Sequence, residues 1–218
     1  MALLLKVLSV VVFHLAIAGY VMADGARYRL ELDVTWSAQT HPYDWPEEGG
    51  HLSDLIGVTH HSRYVMFADG HTATTGLKLV AENGRASIMQ AELGEADRRR
   101  RIGAVFQADG LKQVPGRIAV DFDAGVDHPL VSFVTMLAPS PDWFTGAASV
   151  PLYQDGAWRG RVEGLLLAWD AGTDSGATYV AENAETQPAE SIRLLATPHF
   201  LTEKGLLPVG KFVLTRLK

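Results

Sequence analysis

A two-sheet antiparallel β-sandwich is what the sequence predicts, on three observations. Tyr28, Leu30, Leu32, Val34 and Trp36 alternate with Arg29, Glu31, Asp33 and Thr35, the period of two shown by a strand with one buried face and one wet face. Leu130 to Ala138 (LVSFVTMLA) is nearly continuous in apolar, β-branched and aromatic residues, the pattern of a strand covered on both faces. Glycine, proline and aspartate clusters at Pro139 to Pro141, Asp155-Gly156, Asp170 to Gly176 and Leu207-Pro208 then cut the chain into short strands of similar spacing.

Taken in order, residues 27–36 form the first core strand. Residues 58–67 read as a second, Ile118, Val120 and Phe122 alternate again, and Leu130 to Ala138 follows as the fully covered strand. Further strands are expected over residues 147–153, 162–169, 177–180, 191–196 and 211–217. Helical periodicity is confined to three short pieces, near residues 51–56, 75–82 and 89–98, too short to build a layer of their own and read as decoration of the sandwich. The longest polar stretch, residues 181–190, has the length of a loop and not of a linker. One domain over residues 24–218 is therefore expected.

The composition narrows the function classes. Nineteen Lys and Arg stand against 25 Asp and Glu, a formal charge of −6, without the basic surplus that a nucleic-acid partner calls for. The absence of cysteine excludes a disulfide scaffold, a thiolate zinc site and a cysteine nucleophile together. In residues 1–23 Lys6 is the only charged side chain, an apolar run continues from Val7 to Ile17, and Val21-Met22-Ala23 offers small residues for cleavage. This reads as a signal peptide cut after Ala23. His14, Gly19 and Tyr20 interrupt the apolar run, which is short for a membrane anchor. An exported chain without a transmembrane segment in its mature part, periplasmic or secreted and extracellular, is the expectation.

The chemistry is concentrated in Pro139-Ser140-Pro141-Asp142-Trp143 and Asp170-Ala171-Gly172-Thr173-Asp174-Ser175-Gly176. Each block follows an expected strand, and the second holds two aspartates around a glycine, so the backbone can curl and aim both carboxylates at one point. Hard cations such as calcium take several carboxylate and carbonyl oxygens from loops of this kind. The other reading of the same spacing is a set of turn aspartates, each bonded to its own backbone.

The ordered motifs carry a resemblance. Pro139-Ser140-Pro141-Asp142-Trp143-Phe144, Trp158 and the block from Asp170 to Gly176 resemble the most characteristic stretch of the spondin domain, the module of F-spondin and mindin. Thr35-Trp36-Ser37 with His41-Pro42, His51-Leu52-Ser53 with Ile56-Gly57-Val58-Thr59-His60, Gly70 with Gly76, and Ala81-Glu82-Asn83-Gly84 fall in the family's order upstream, and Pro188, Glu190 and Ile192 downstream. The resemblance implies an eight-stranded antiparallel β-sandwich similar to the C2 class, with calcium held by loops at one end. It implies Asp142, Asp170 and Asp174 as metal ligands, all three intact here. In the mindin branch an acidic residue at the place of Asp123 also contributes, but a hairpin of residues 117–123 with Leu130 to Ala138 puts Asp123 at the end opposite Asp142. The function implied is recognition or cell adhesion through an extracellular protein or glycan ligand, without catalysis. Animal family members carry disulfides and further modules, and functions that depend on those do not transfer to a chain without cysteine.

Other features carry rival readings. Asp142 and Asp170 as acid and base would make a metal-dependent, glycosidase-like hydrolase, but no G-x-S-x-G nucleophile elbow occurs. His41, His51, His60, His61 and His71 suit zinc by residue type yet show no ligand spacing. Arg98 to Arg101 is a run of four arginines, a pattern that could bind an anionic polysaccharide but reads first as a solvated loop or helix end. Trp143, Trp158 and Trp169 flank the acidic loops, where they could stack on sugars, but large aromatics near strand ends read as core.

Overall fold

A computed structural model describes residues 25–218; the expected signal peptide lies outside the described residues. In chain order the elements are β1 (Ala26–Val34), β2 (His51–Leu52), β3 (Leu55–His60), α1 (Thr75–Asn83), α2 (Ser87–Arg98), β4 (Ile102–Ala108), β5 (Gly116–Ala124), β6 (Leu130–Ala138) and β7 (Trp143–Pro151). They continue with β8 (Tyr153–Gln154), β9 (Ala157–Trp158), β10 (Arg161–Asp170), β11 (Arg193–Leu194), β12 (Leu201–Thr202), β13 (Gly205–Leu206) and β14 (Gly210–Arg216).

Eight strands form one antiparallel path, β4-β3-β6-β7-β10-β14-β1-β5. The path folds into two leaves at β10. Arg161 to Leu166 pair with β14 in one leaf, and Leu167 to Asp170 pair with β7 in the other. The outer strands β4 and β5 come back together at the far side, where Phe106 and Phe122 stack with centroids 4.4 Å apart. The result is an all-β sandwich curled almost into a barrel. Among the described residues no helix is long and apolar enough to cross a membrane.

The alternation in β1 has its expected cause. Tyr28, Leu30, Leu32 and Val34 are buried between the leaves, while Arg29 pairs with Asp121 on the wet face at 2.7 Å. The unbroken apolar run of β6 also has one. Val131, Phe133 and Leu137 face the inter-leaf core, whereas Val134 joins a second core beneath the helices with Ile56, Leu77, Val80, Met89 and Leu93. Helices of 9 and 12 residues are marginal alone, and burying each such aliphatic side chain contributes roughly 1.5–3 kcal/mol. The two helices thus cover one leaf as a third layer. Thr74 caps α1 by accepting from the Leu77 N–H, and Glu92 of α2 accepts from the Gly76 N–H at 2.8 Å, tying the pair together.

Several local expectations are corrected. Residues 51–56 are not helical but supply β2 and the start of β3, because the edge of β6 takes their backbone groups into a ladder. The strand expected over residues 58–67 ends at His60, and Met66 and Phe67 are buried from a loop under the helices. Residues 177–180 are irregular, with Tyr179 buried by its contacts with Trp143 and Trp36 and not by a ladder. Strand β4, unforeseen, is an edge strand whose buried positions are Ile102 and Phe106 alone, too few for a period to be read.

Candidate metal centre

The β6–β7 turn and the end of β10 are neighbours by register: Asp170 pairs with Trp143, the residue after Asp142. The Ser140 hydroxyl accepts from the Trp143 N–H at 3.1 Å and fixes the turn. Trp143 itself is anchored in an aromatic nest with Tyr179, His199 and Phe200, at centroid distances of 5.2, 5.2 and 5.6 Å. Asp142 is fully buried. Its Oδ2 accepts from the Thr173 N–H at 2.7 Å, the Thr173 hydroxyl at 3.2 Å and the Asp174 N–H at 3.1 Å, and its Oδ1 is buried without a partner. The carboxylate is thus the hub around which the loop after β10 is wound.

Asp170 Oδ1 accepts from the Gly172 N–H at 2.8 Å, and Oδ2 meets Arg193 of β11 at 3.2 Å. Asp174 accepts from Gly176 N–H at 2.8 Å and Ala184 N–H at 2.9 Å, so the polar segment at residues 181–190 closes over the loop through the Asp174–Glu185 bridge. Arg193 and this closing segment escaped sequence reasoning, since their place depends on the β10–β11 register and not on any motif. Burial, then the like charge of Asp170, pushes the Asp142 carboxyl up to about 6, against the Thr173 and Asp174 hydrogen bonds that favour its charged form. Asp170 raises Arg193 above the ordinary guanidinium value by its charge.

The three aspartates therefore stand in one neighbourhood, linked through their loops, and most of their oxygens face backbone N–H groups. Among the described residues no three His, Cys, Asp or Glu side chains stand together as a ready-made metal cage. The donor chemistry nonetheless fits a hard cation: the ligand atoms on offer are carboxylate oxygens, each with two acceptor positions, and Asp142 Oδ1 is a buried oxygen with nothing to accept. The expected hairpin of residues 117–123 with β6 does not form, since β5 pairs with β1, yet Asp123 is at the other end of the strands, 72% exposed and facing Arg27 at 3.4 Å.

A model of the Spondin_N family matches residues 26–203, from β1 to β12, with all three aspartates inside the match. The chain belongs to the Spondin_N family. Spondin-1 of Gallus gallus is 37% identical over 204 residues, 88% of this chain and 25% of that protein. Spondin-1 of Homo sapiens is 36% identical with the same coverage, and spondin-2 of Rattus norvegicus is 31% identical over 205 residues, 88% of this chain and 62% of that protein. The chain thus spans a quarter of the length of these spondin-1 relatives and about three-fifths of spondin-2. In this spondin domain β14 lies beyond the family match, yet it fills the place between β1 and β10 and completes one leaf.

The histidines serve the spondin sandwich individually. His60 is sealed in the core, with Nε2 2.7 Å from the Ser132 hydroxyl and Nδ1 3.0 Å from the His61 carbonyl. A serine–histidine pair at this distance has the look of a nucleophile and its base, but both side chains are fully buried, and Ser132 instead accepts from the Ser149 N–H at 2.8 Å to hold the β6–β7 bulge. Burial lowers the His60 pKa below 6.5, and His128 and His61 add like charge in the same direction. His41 is lowered by burial as well. A depressed base favours folding above the unfolded value, so this stability is present above about pH 6.5 and lost as the pH falls towards the folded pKa. We expect urea midpoints of the wild type to fall more between about pH 7.5 and 5.5 than those of His60→Gln. Asp142 works in the opposite sense in both proteins, so the difference between the two profiles is the readout; parallel profiles would contradict the assignment.

Proposed function

We propose that this spondin domain is an exported, non-catalytic recognition module that binds calcium through Asp142, Asp170 and Asp174 and acts in adhesion at a cell surface or matrix. The observation that carries the reading is the fully buried Asp142 with an unpartnered Oδ1 beside the Asp170 carboxylate. A buried charge of this kind is costly without a counter-charge, and calcium supplies one by accepting carboxylate oxygens at about 2.3–2.6 Å. The apolar run in residues 1–23 supports export. A protein or glycan outside the cell is the proposed partner.

The hydrolase alternative is less well supported. A general acid or base has to reach the substrate, whereas Asp142 is fully buried and Asp170 is 7% exposed and faces Arg193. The test is a thermal melt of metal-free protein titrated with calcium. Ligand at about 100 times its Kd stabilises by about 2.7 kcal/mol, so the melting temperature is expected to rise by several degrees, and Asp174→Asn should reduce the rise. Indifference of the melting temperature to calcium and chelator alike would remove the metal from the reading.

A further inference from the structure

At the other end of the sandwich, where β3 ends at His60 and β6 begins at Leu130, the run of arginines lines a cleft. Arg98, in the last turn of α2, is paired with Glu95. The chain then turns through Arg100, held at φ +52°, with the Arg100 and Arg101 N–H groups donating to Asp97 and Ala96 carbonyls at 2.7 and 3.1 Å. This left-handed position after a helix ordinarily takes glycine, because a Cβ there costs about 1 kcal/mol; here it carries a guanidinium. The His61 N–H donates to the Arg101 carbonyl at 3.0 Å and brings the β3 loop alongside. The cleft so formed, of about 280 Å³, is lined by His61, Arg63, Arg99, Arg100 and Arg101.

None of these four arginines has a carboxylate partner among the described residues, although Arg27, Arg29, Arg117, Arg161 and Arg193 all do. Of the acids on α2, Glu95 is paired with Arg98 and Glu92 with the start of α1, while Asp97 makes no ion pair with the run. The end of a helix carries only about half a negative charge, which Arg98 alone offsets. The remaining guanidinium groups gather like charge on a chain of net charge −6, and an anion is what relieves it.

We infer that this cleft binds an acidic polysaccharide bearing sulfate or carboxylate groups. The guanidinium fork matches both groups in a bidentate manner. A polymer, and not a lone ion, fits because Arg100 and His61 also line an adjoining cleft of about 570 Å³ with His128, and Arg99 and Arg101 line another of about 280 Å³ with Tyr64, its acids Glu92 and Glu95 being bonded to α1 and Arg98. The arginines form a ridge shared by consecutive grooves. Asp97 and Asp127 border the larger groove and turn an acidic chain towards the arginines. A single nucleic-acid strand wants exposed rings for stacking, but Tyr64 is packed edge-on against His60 at 5.3 Å. Membrane insertion wants a set of exposed apolar side chains, and among the described residues Val126 is the one large exposed apolar side chain that lines these clefts.

The inference deepens the recognition reading and rests on it, but not on calcium. Purified protein is titrated with size-defined dextran sulfate, with neutral dextran, a single-stranded oligonucleotide and anionic vesicles as comparisons. Salt-sensitive binding to dextran sulfate is expected, unchanged by chelator. Arg99→Ala/Arg101→Ala should weaken it by about tenfold or more without altering the melting temperature, whereas Arg85→Ala/Arg216→Ala, which removes the same charge elsewhere, should leave it within about twofold. Absence of binding, an equal loss in both double variants, equal binding of neutral dextran, or tighter binding of the oligonucleotide or vesicles would overturn the inference. Recovery of shortened polymer would instead overturn the non-catalytic reading and leave the cleft as the place of binding.

Discussion

Gly146→Ala is expected to remove a large part of the folding stability. Gly146 lies on β7 where β10 leaves this leaf, paired with Val134 on one side and Leu167 on the other. A Cβ at Gly146 would stand 2.0 Å from the Phe133 carbonyl oxygen and 3.0 Å from the Val134 Cα. Both obstacles are backbone, so no rotamer change relieves the clash, and β6 has to move away from β7. Val131, Phe133 and Val134 of β6 are fully buried on the two sides of the leaf, so the movement opens both cores at once. A penalty of about 4 kcal/mol or more is reasonable for such a forced repacking, against a total stability of roughly 5–15 kcal/mol. Gly94→Ala is the matched control. Gly94 is exposed within α2 with nothing within 4 Å of a built Cβ, and alanine there should stabilise by about 0.5–1 kcal/mol. Urea unfolding of both variants checks the pair, and a Gly146→Ala protein of near-native stability would refute the packing described at the leaf junction.

The leaf junction also marks the limit of what the sequence makes legible. Strands β1 and β6 are readable because burial imposes a pattern on them: one face for β1, two for β6. β10 is readable as a strand, but its division between two partners is not, since Leu165, Leu166 and Leu167 are alike in sequence, yet the first two pair with β14 and the third with β7. The ladder that draws residues 51–56 into β2 and β3 is equally a tertiary effect, and it overrides a spacing that suits a helix. Of the site, the grouping of Asp142, Asp170 and Asp174 is what the family resemblance implies, while spacing alone leaves them as turn aspartates: Asp142 in the turn after β6, Asp170 at the end of β10 and Asp174 in the loop beyond. Arg193 and the segment over residues 181–190 follow from neither, for they reach Asp170 and Asp174 across register and loop closure. The arginine run is conspicuous in sequence, but its partners Arg63 and His61 belong to a loop some forty positions earlier, brought near only by the β3–β4 pairing.

The two roles proposed for Asp142, hub of a loop and ligand of a cation, are separable by substitution. Alanine removes Oδ2 and leaves the N–H groups of Thr173 and Asp174 buried without their acceptor. Hydrogen bonds to a charged group are worth about 1.5–3 kcal/mol each, and an orphaned buried donor costs about 1–3 kcal/mol. In metal-free protein Asp142→Ala should therefore lose about 3–5 kcal/mol. Asparagine keeps an acceptor for the same N–H groups and removes both the buried charge and its repulsion with Asp170, at the cost of an amide NH2 where Oδ1 had no partner. These effects oppose one another, and Asp142→Asn should stay within about 1 kcal/mol of the wild type. Calcium then divides the series differently. A neutral amide is a poor substitute for a carboxylate ligand, so both variants should lose most of the calcium-dependent rise in melting temperature, including the asparagine variant that folds well without the ion. If Asp142→Asn kept the full calcium response, the cation would be held elsewhere. If alanine proved as mild as asparagine in metal-free protein, Asp142 would not be the hub of the loop.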